Sequence, residues 1–244
     1  MRWYQTSWGV ALLGLGGLLL VGGVVFAAVT ANFWWQIKQG KGDLLQQKIY
    51  SGFDEDLEAK NKGGKEGSNV LENKGSPFLG NPSAPITIVL FGDFRCPNTK
   101  NAWPILQRLL GQYGHKVKLI FRHFPAESIP GHQGANKLSQ IAVCAYGQGQ
   151  EKYWGVHNYF FTRQNDLPTY LGAADLSTLA NEVGLDLPKL NDCLVGPNAL
   201  YKINEDYADG LRFGVRGTPT FFINGQKIEG VIPWEVWEGF VKQF

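Results

Sequence analysis

Cys96 is the residue in this chain whose neighbours lend it chemistry. It follows a short apolar run, Ile86–Phe91 (ITIVLF), and a loop, Gly92–Arg95; Pro97 comes next, opening an amphipathic stretch that reaches about Gly111. Proline just inside a helix start is favourable, because its missing N–H would be unpaired there anyway. The spacing therefore predicts a cysteine at a strand-to-helix junction. Open N–H groups and the helix dipole favour the thiolate there, and the thiolate is the nucleophile; Arg95 adds positive charge beside it. The bland reading of Cys96 is a small buried hydrophobe, which free cysteines often are. Three cysteines are too few to staple a miniprotein, and an odd number leaves one without an intramolecular partner.

A second feature stands far downstream. Gly214–Thr220 (GVRGTPT) directly precedes a β-branched and aromatic run, Thr220–Ile223 (TFFI). Proline cannot donate to a sheet ladder, so Pro219 belongs at a strand's start, and Thr218-Pro219 is a candidate cis peptide. Such a loop facing a helix-opening cysteine would let an extended polypeptide pair with the backbone beside a reactive sulfur.

The elements that must position these residues are readable in outline. Ile86–Phe91 reads as a buried strand bounded by Pro85 and Gly92, and Val117–Phe124 (VKLIFRHF) as a second. Between them Trp103, Ile105, Leu106, Leu109 and Leu110 recur at helical spacing, with Pro104 predicting a kink. Helical patterns follow over Ala135–Tyr146, Tyr153–Arg163, Ala173–Val183, Leu187–Leu194 and Ala199–Phe213. Thr220–Ile223, the Asn224-Gly225 turn and Lys227–Glu229 make a hairpin, and Trp234–Phe244 closes the chain as an amphipathic helix. The order predicts an α/β fold with helices packed on a small mixed sheet.

FGDFRCPNT (Phe91–Thr99), RHFP (Arg122–Pro125), CAYGQGQEKYWGVHNYFF (Cys144–Phe161) and GVRGTPTFFINGQKIEG (Gly214–Gly230) resemble the DsbA-like branch of the thioredoxin superfamily. Ser76–Phe91 is similar to that family's first strand, so the resemblance spans Ser76 to Phe244. It implies a thioredoxin fold with a helical insertion (about 131–196) and thiol–disulfide exchange on secreted proteins. It also implies that Cys96 is the attacking cysteine, with Thr218 and cis Pro219 opposite it. The chain departs from the family at Cys96-Pro97-Asn98-Thr99, where the family carries Cys-x-x-Cys. Without a second sulfur the site can form a mixed disulfide but needs an outside thiol to release it. Thr99, one turn on, is expected to donate a hydrogen bond to the sulfur, a term of ~1–2 kcal/mol.

Some DsbA-like proteins carry a second, non-catalytic disulfide in their helical part, and Cys144 and Cys193 sit on the first and last helices of the insertion. Bridging a loop of that size stabilises by ~4 kcal/mol in the chain-entropy model. Two buried thiols are the alternative, and a third reading has either cysteine resolving Cys96. Asp93 reads as a loop-capping acid or as a group tuning the thiol. His123, His132 and His157 are scattered among aromatics, and no metal-ligand spacing or phosphate-binding loop occurs. Trp154, Tyr159, Phe160 and Phe161 form a helical aromatic face assigned to the core. No cofactor is implied.

A formal net charge of +2 over 244 residues supplies no basic face for nucleic acid. No charge occurs from Trp3 to Ile37, and Trp8–Val29 is long enough to span a bilayer. Aromatics flank it on both sides (Trp3, Tyr4 and Trp8; Phe33, Trp34 and Trp35), as in a retained span. The rival is a signal peptide cut near Val29-Thr30-Ala31. The expected organisation is a membrane anchor over residues 1–35 (span about 8–30), a mixed-charge, glycine-interrupted linker over 36–75, and the thioredoxin-like domain over 76–244. Lysine and arginine flanks nearly tie on orientation. The disulfide and the exchange-type fold favour an extracytoplasmic domain, a single pass and a cytoplasmic amino terminus. Expected partners are cysteine-containing secreted or envelope proteins, an external thiol or redox protein, and the membrane. A non-catalytic binding or scaffold module in an envelope complex is the rival function, and a glutathione-dependent transferase a third.

Overall fold

A strand whose one polar side chain is a threonine has no solvent face and must be covered on both sides, and Ile86–Gly92 (β2) is buried at every position. The computed structural model describes residues 20–28, 30–32, 71–73 and 75–244. Its strands order as β1-β3-β2-β4-β5 in one five-stranded sheet: β1 is Phe78–Gly80, β3 Val117–His123, β4 Thr220–Ile223 and β5 Gln226–Glu229. β2 runs parallel to β3, from Ile86 opposite Val117 to Gly92 opposite His123. β4 lies antiparallel on its other side, with Phe91 opposite Thr220. The parallel pair requires a crossover, supplied by α1, Pro97–Tyr113. The helix continues through Pro104.

Four helices, α2 (Ala135–Tyr146), α3 (Gln150–Thr162), α4 (Ala173–Val183) and α5 (Leu187–Val195), are inserted after β3; α6 (Asn198–Arg212) leads back to β4, and α7 (Trp234–Val241) closes the chain. Alternate residues of β2 face opposite sides. Val89 and Phe91 pack with Leu71, Ile120, Phe124, Val215 and Phe222 on one side. On the other, Phe221 meets Trp237 of α7 edge-on at 5.5 Å. Gly210 lets α6 approach the sheet, since a Cβ there would fall 2.6 Å from the Phe124 ring. Leu71, ahead of Ser76 in the chain, is 3% exposed within the core.

By contact the chain divides into two units, Met1–Glu55 and Asp56–Phe244. In the first, residues 20–28 and 30–32 are helical. Leu20, Val21, Val24, Val25 and Phe26 are exposed there. Among the described residues no helix is long and apolar enough to cross a membrane. The rest of the expected span, its flanking aromatics and the linker through residue 70 lie outside the described residues.

Candidate active site

The sheet register brings the two chemical loops together. Because Phe91 pairs with Thr220, the loop leaving β2 and the loop entering β4 emerge side by side. Cys96 is the N-cap residue of α1, with Pro97 in the first turn. Its N–H donates to the Asp93 carbonyl at 3.1 Å, and its own carbonyl accepts from Lys100 N at 3.1 Å. Thr218-Pro219 is cis, and the Cys96 thiol donates to the Thr218 carbonyl across 3.1 Å. Cys96 is free and 5% exposed, while Pro97 and Asn98 lie at the surface. A thiolate at that distance would be repelled by the Thr218 oxygen, so ionisation of the sulfur would turn it away from Thr218.

Asp93, fully buried, fixes the loop ahead of the sulfur. One carboxylate oxygen accepts from Arg95 N at 2.7 Å; the other accepts from Ala126 N at 2.9 Å and lies 2.7 Å from His132 Nδ1. The acid is a loop anchor. Arg95 differs from expectation. Its guanidinium does not stand as free charge beside the sulfur but donates to the carbonyls of Leu167, Pro168 and Thr169. Burial lowers its pKa, against the pull of Asp93 and Glu127. Gly134 makes room for that loop: it has φ +84°, and a Cβ there would sit 2.1 Å from the Thr169 oxygen.

Thr99 also departs from expectation. It is 1% exposed, and its hydroxyl has no hydrogen-bond partner among the described residues. The predicted donation to the sulfur is absent: the Cys96 thiol makes its bond to Thr218, and the Thr99 hydroxyl is left unpaired among the described residues. The Thr99 methyl is turned toward Gly92, 3.0 Å from where a Cβ would stand on that glycine. Cys144 of α2 and Cys193 of α5 are joined in a disulfide, 49 positions apart with Cα atoms 5.7 Å apart. Bonded to each other, neither is available to resolve Cys96.

Beyond the site, Phe94, Phe121, Tyr153, Trp154, Phe160 and Phe161 form an aromatic core that also encloses two histidines. Tyr159 is half-buried. Burial pushes His123 down to about 4 and His157 well below the ordinary 6.5. His157 has no hydrogen-bond partner on either nitrogen among the described residues and packs 4.2 Å from the Trp103 ring.

Sequence reasoning missed two polar arrangements. The fully buried guanidinium of Arg122 donates to Asp206 at 2.5 Å, to Asp209 at 2.7 Å and to the Leu71 carbonyl at 2.9 Å. Asp206 also accepts from Lys202 and from the His123 N–H. Nearer the sulfur, Gln164, 8% exposed, donates to the carbonyls of Phe94 and Cys96 at 2.9 and 3.1 Å. An arginine inside a strand was a signal for the first, since so large a charge is buried only when paired. A glutamine past a helix end gave none.

A family model described as Thioredoxin matches residues 72–243. The chain belongs to the thioredoxin family. Within it the fold is DsbA-like. The chain is similar to the thioredoxin-like oxidoreductase from Silicibacter pomeroyi DSS-3, with a TM-score of 0.60 and 26% identity over 72% of this chain and 95% of that one. The thiol-disulfide exchange protein alpha-DsbA2 from Wolbachia pipientis shares the fold at a TM-score of 0.60 and 22% identity, over 72% of this chain and 96% of that one. Among curated relatives, the Na(+)/H(+) antiporter NhaA 1 of Salinispora arenicola is 32% identical over 147 residues, 60% of this chain. This thioredoxin-family chain spans about a fifth of the length of that relative, 21%.

Proposed function

We propose that this protein is a membrane-anchored, extracytoplasmic thiol–disulfide oxidoreductase working through the single sulfur of Cys96. The observation that carries the reading is that sulfur's place: at the opening of α1 and 3.1 Å from the carbonyl of Thr218, the residue before cis Pro219. Cys96 loses its proton to solvent and attacks one sulfur of a client disulfide. A Cys96–client S–S bond forms as the client S–S bond breaks, and the departing client sulfur leaves as a thiolate that takes up a proton. An external thiol then attacks the mixed disulfide and frees Cys96, because Thr99 has no sulfur to do so. A second external thiol completes reduction of the client; return of the client's own thiolate instead gives isomerisation with no net electron transfer.

The Cys144–Cys193 disulfide supports an oxidising compartment. The uncharged run from Trp3 to Ile37, and the exposed apolar side chains on its described helical part, support the anchor. Ion transport is not carried over from relatives of which so small a share is matched. The burial of Cys96 favours one rival, a binding module that keeps the fold without turnover.

The test is to trap mixed disulfides on the full-length protein in membranes with an acid and alkylation quench. The expected result is adducts with cysteine-containing envelope proteins and glutathione-dependent turnover, both abolished by Cys96→Ser. Client binding that survives Cys96→Ser, with no turnover in the parent, establishes the module instead.

A further inference from the structure

Two side chains reach the Cys96 turn from beyond α3. Gln164, in the turn after that helix, directs one amide nitrogen at two carbonyl oxygens, Phe94 O at 2.9 Å and Cys96 O at 3.1 Å. These are the oxygens on either side of Arg95, whose own guanidinium is bound to the carbonyls of Leu167, Pro168 and Thr169. Lys100 adds a bond to Asn165 at 3.2 Å from the next turn of α1. The Phe94–Cys96 tripeptide is thus held crosswise, its carbonyls donated to by the insertion and its one long side chain donating back. Gln164 is more than nine-tenths buried. An amide in that position exchanges two desolvated carbonyls for hydrogen bonds that nothing else described supplies to Phe94 O.

We propose that Gln164 is a positioning residue of the Cys96 site, through which the helical insertion sets the orientation of the nucleophilic sulfur. The amide fixes the carbonyl of the N-cap residue, hence that residue's ψ and the direction of its side chain relative to the open N–H groups of α1 and to Thr218. The insertion is then part of the nucleophile's support as well as a cover for the sheet. This role rests on the reading of Cys96 as a nucleophile, but it is measured on the sulfur alone.

The experiment uses the full-length protein, Gln164→Met (same length, no donor) and Gln164→Glu (same shape, an acceptor facing two carbonyls). Arg163→Ala, which removes an exposed ion pair to Glu182 in the same turn, serves as the structural control. The reaction of Cys96 with a small aromatic disulfide is followed as a function of pH, beside thermal unfolding. Loss of sulfur alignment is expected to slow the reaction about tenfold in Gln164→Met and more in Gln164→Glu. It should also move the half-maximal pH of the rate upward, while Arg163→Ala matches the parent. A rate and pH profile equal to the parent's in either folded Gln164 variant overturns the role. So does an equal slowing in Arg163→Ala, which would mark the effect as general loosening. Absent turnover on protein disulfides in the parent, with the Gln164 difference intact, overturns the proposed function and leaves the positioning role standing.

Discussion

Two polar clusters sit at the same end of neighbouring parallel strands, and they treat their hydrogen bonds in opposite ways. Around Arg122, on β3, the guanidinium reaches Asp206, Asp209 and Leu71, and Asp206 collects Lys202 and the His123 N–H as well. Around Cys96, beyond β2, the sulfur has one carbonyl contact. The Thr99 hydroxyl and Arg95 Nε there have no partner among the described residues. Saturation makes the first cluster a fastener. Under-pairing leaves the second with buried polar atoms whose hydrogen-bonding capacity is unspent, at some cost in stability.

The sharpest way to break that contrast is Arg122→Met. It leaves the buried Asp206 carboxylate short of its main partner, and is expected to destabilise by about 3–5 kcal/mol in denaturant unfolding. An effect below about 1 kcal/mol would mean the cluster is no fastener. Next in size, the Cys144→Ser, Cys193→Ser double variant should lose about 2–4 kcal/mol, with the reaction rate of Cys96 toward a small disulfide unchanged. A matching fall in that rate would show that the insertion's staple also serves the sulfur.

The two buried histidines set a pH window. Folding lowers both, His123 to about 4 and His157 in the same direction. As pH falls, the unfolded chain therefore takes up protons first. Stability is full above about 6.5, the unfolded value, and is lost as pH drops from there toward 4, by about 3 kcal/mol for a shift like that of His123. Thermal unfolding between pH 7 and 4.5 measures the slope, and His157→Phe should flatten it. The smallest expected effect is Thr99→Val. With no hydrogen bond to lose, it should change stability by less than about 1 kcal/mol and leave Cys96 reactivity unchanged. A large fall in reactivity would show that the hydroxyl meets the sulfur during the reaction.

Local signals carried most of the fold. The uniform apolarity of Ile86–Phe91, the Asn224-Gly225 turn and the helical spacing of Ala135–Tyr146 and Ala173–Val183 each report short-range physics, and the structure places all four elements at those residues. The start of α3 at Gln150, ahead of the expected Tyr153, escaped the pattern because Gln150, Glu151 and Lys152 are polar and add nothing to an apolar period. The site was legible as far as the sulfur and Pro219. What escaped is nonlocal: Arg122 meets Asp206 across 84 positions, and Gln164 meets Cys96 across 68. The bond predicted for Thr99 failed because spacing one turn on from the sulfur says nothing of the side-chain rotamer, and the structure leaves the hydroxyl unpaired among the described residues, with the methyl against Gly92.

Leu71 has a practical bearing on how this domain can be excised. A fragment starting at Ser76, where the family resemblance begins, would strip the Arg122 guanidinium of one acceptor and uncover the apolar wall behind Phe91 and Val215. Cloning boundaries have to be drawn upstream of that leucine, or the recombinant product will report the damage of its own truncation as a property of the protein.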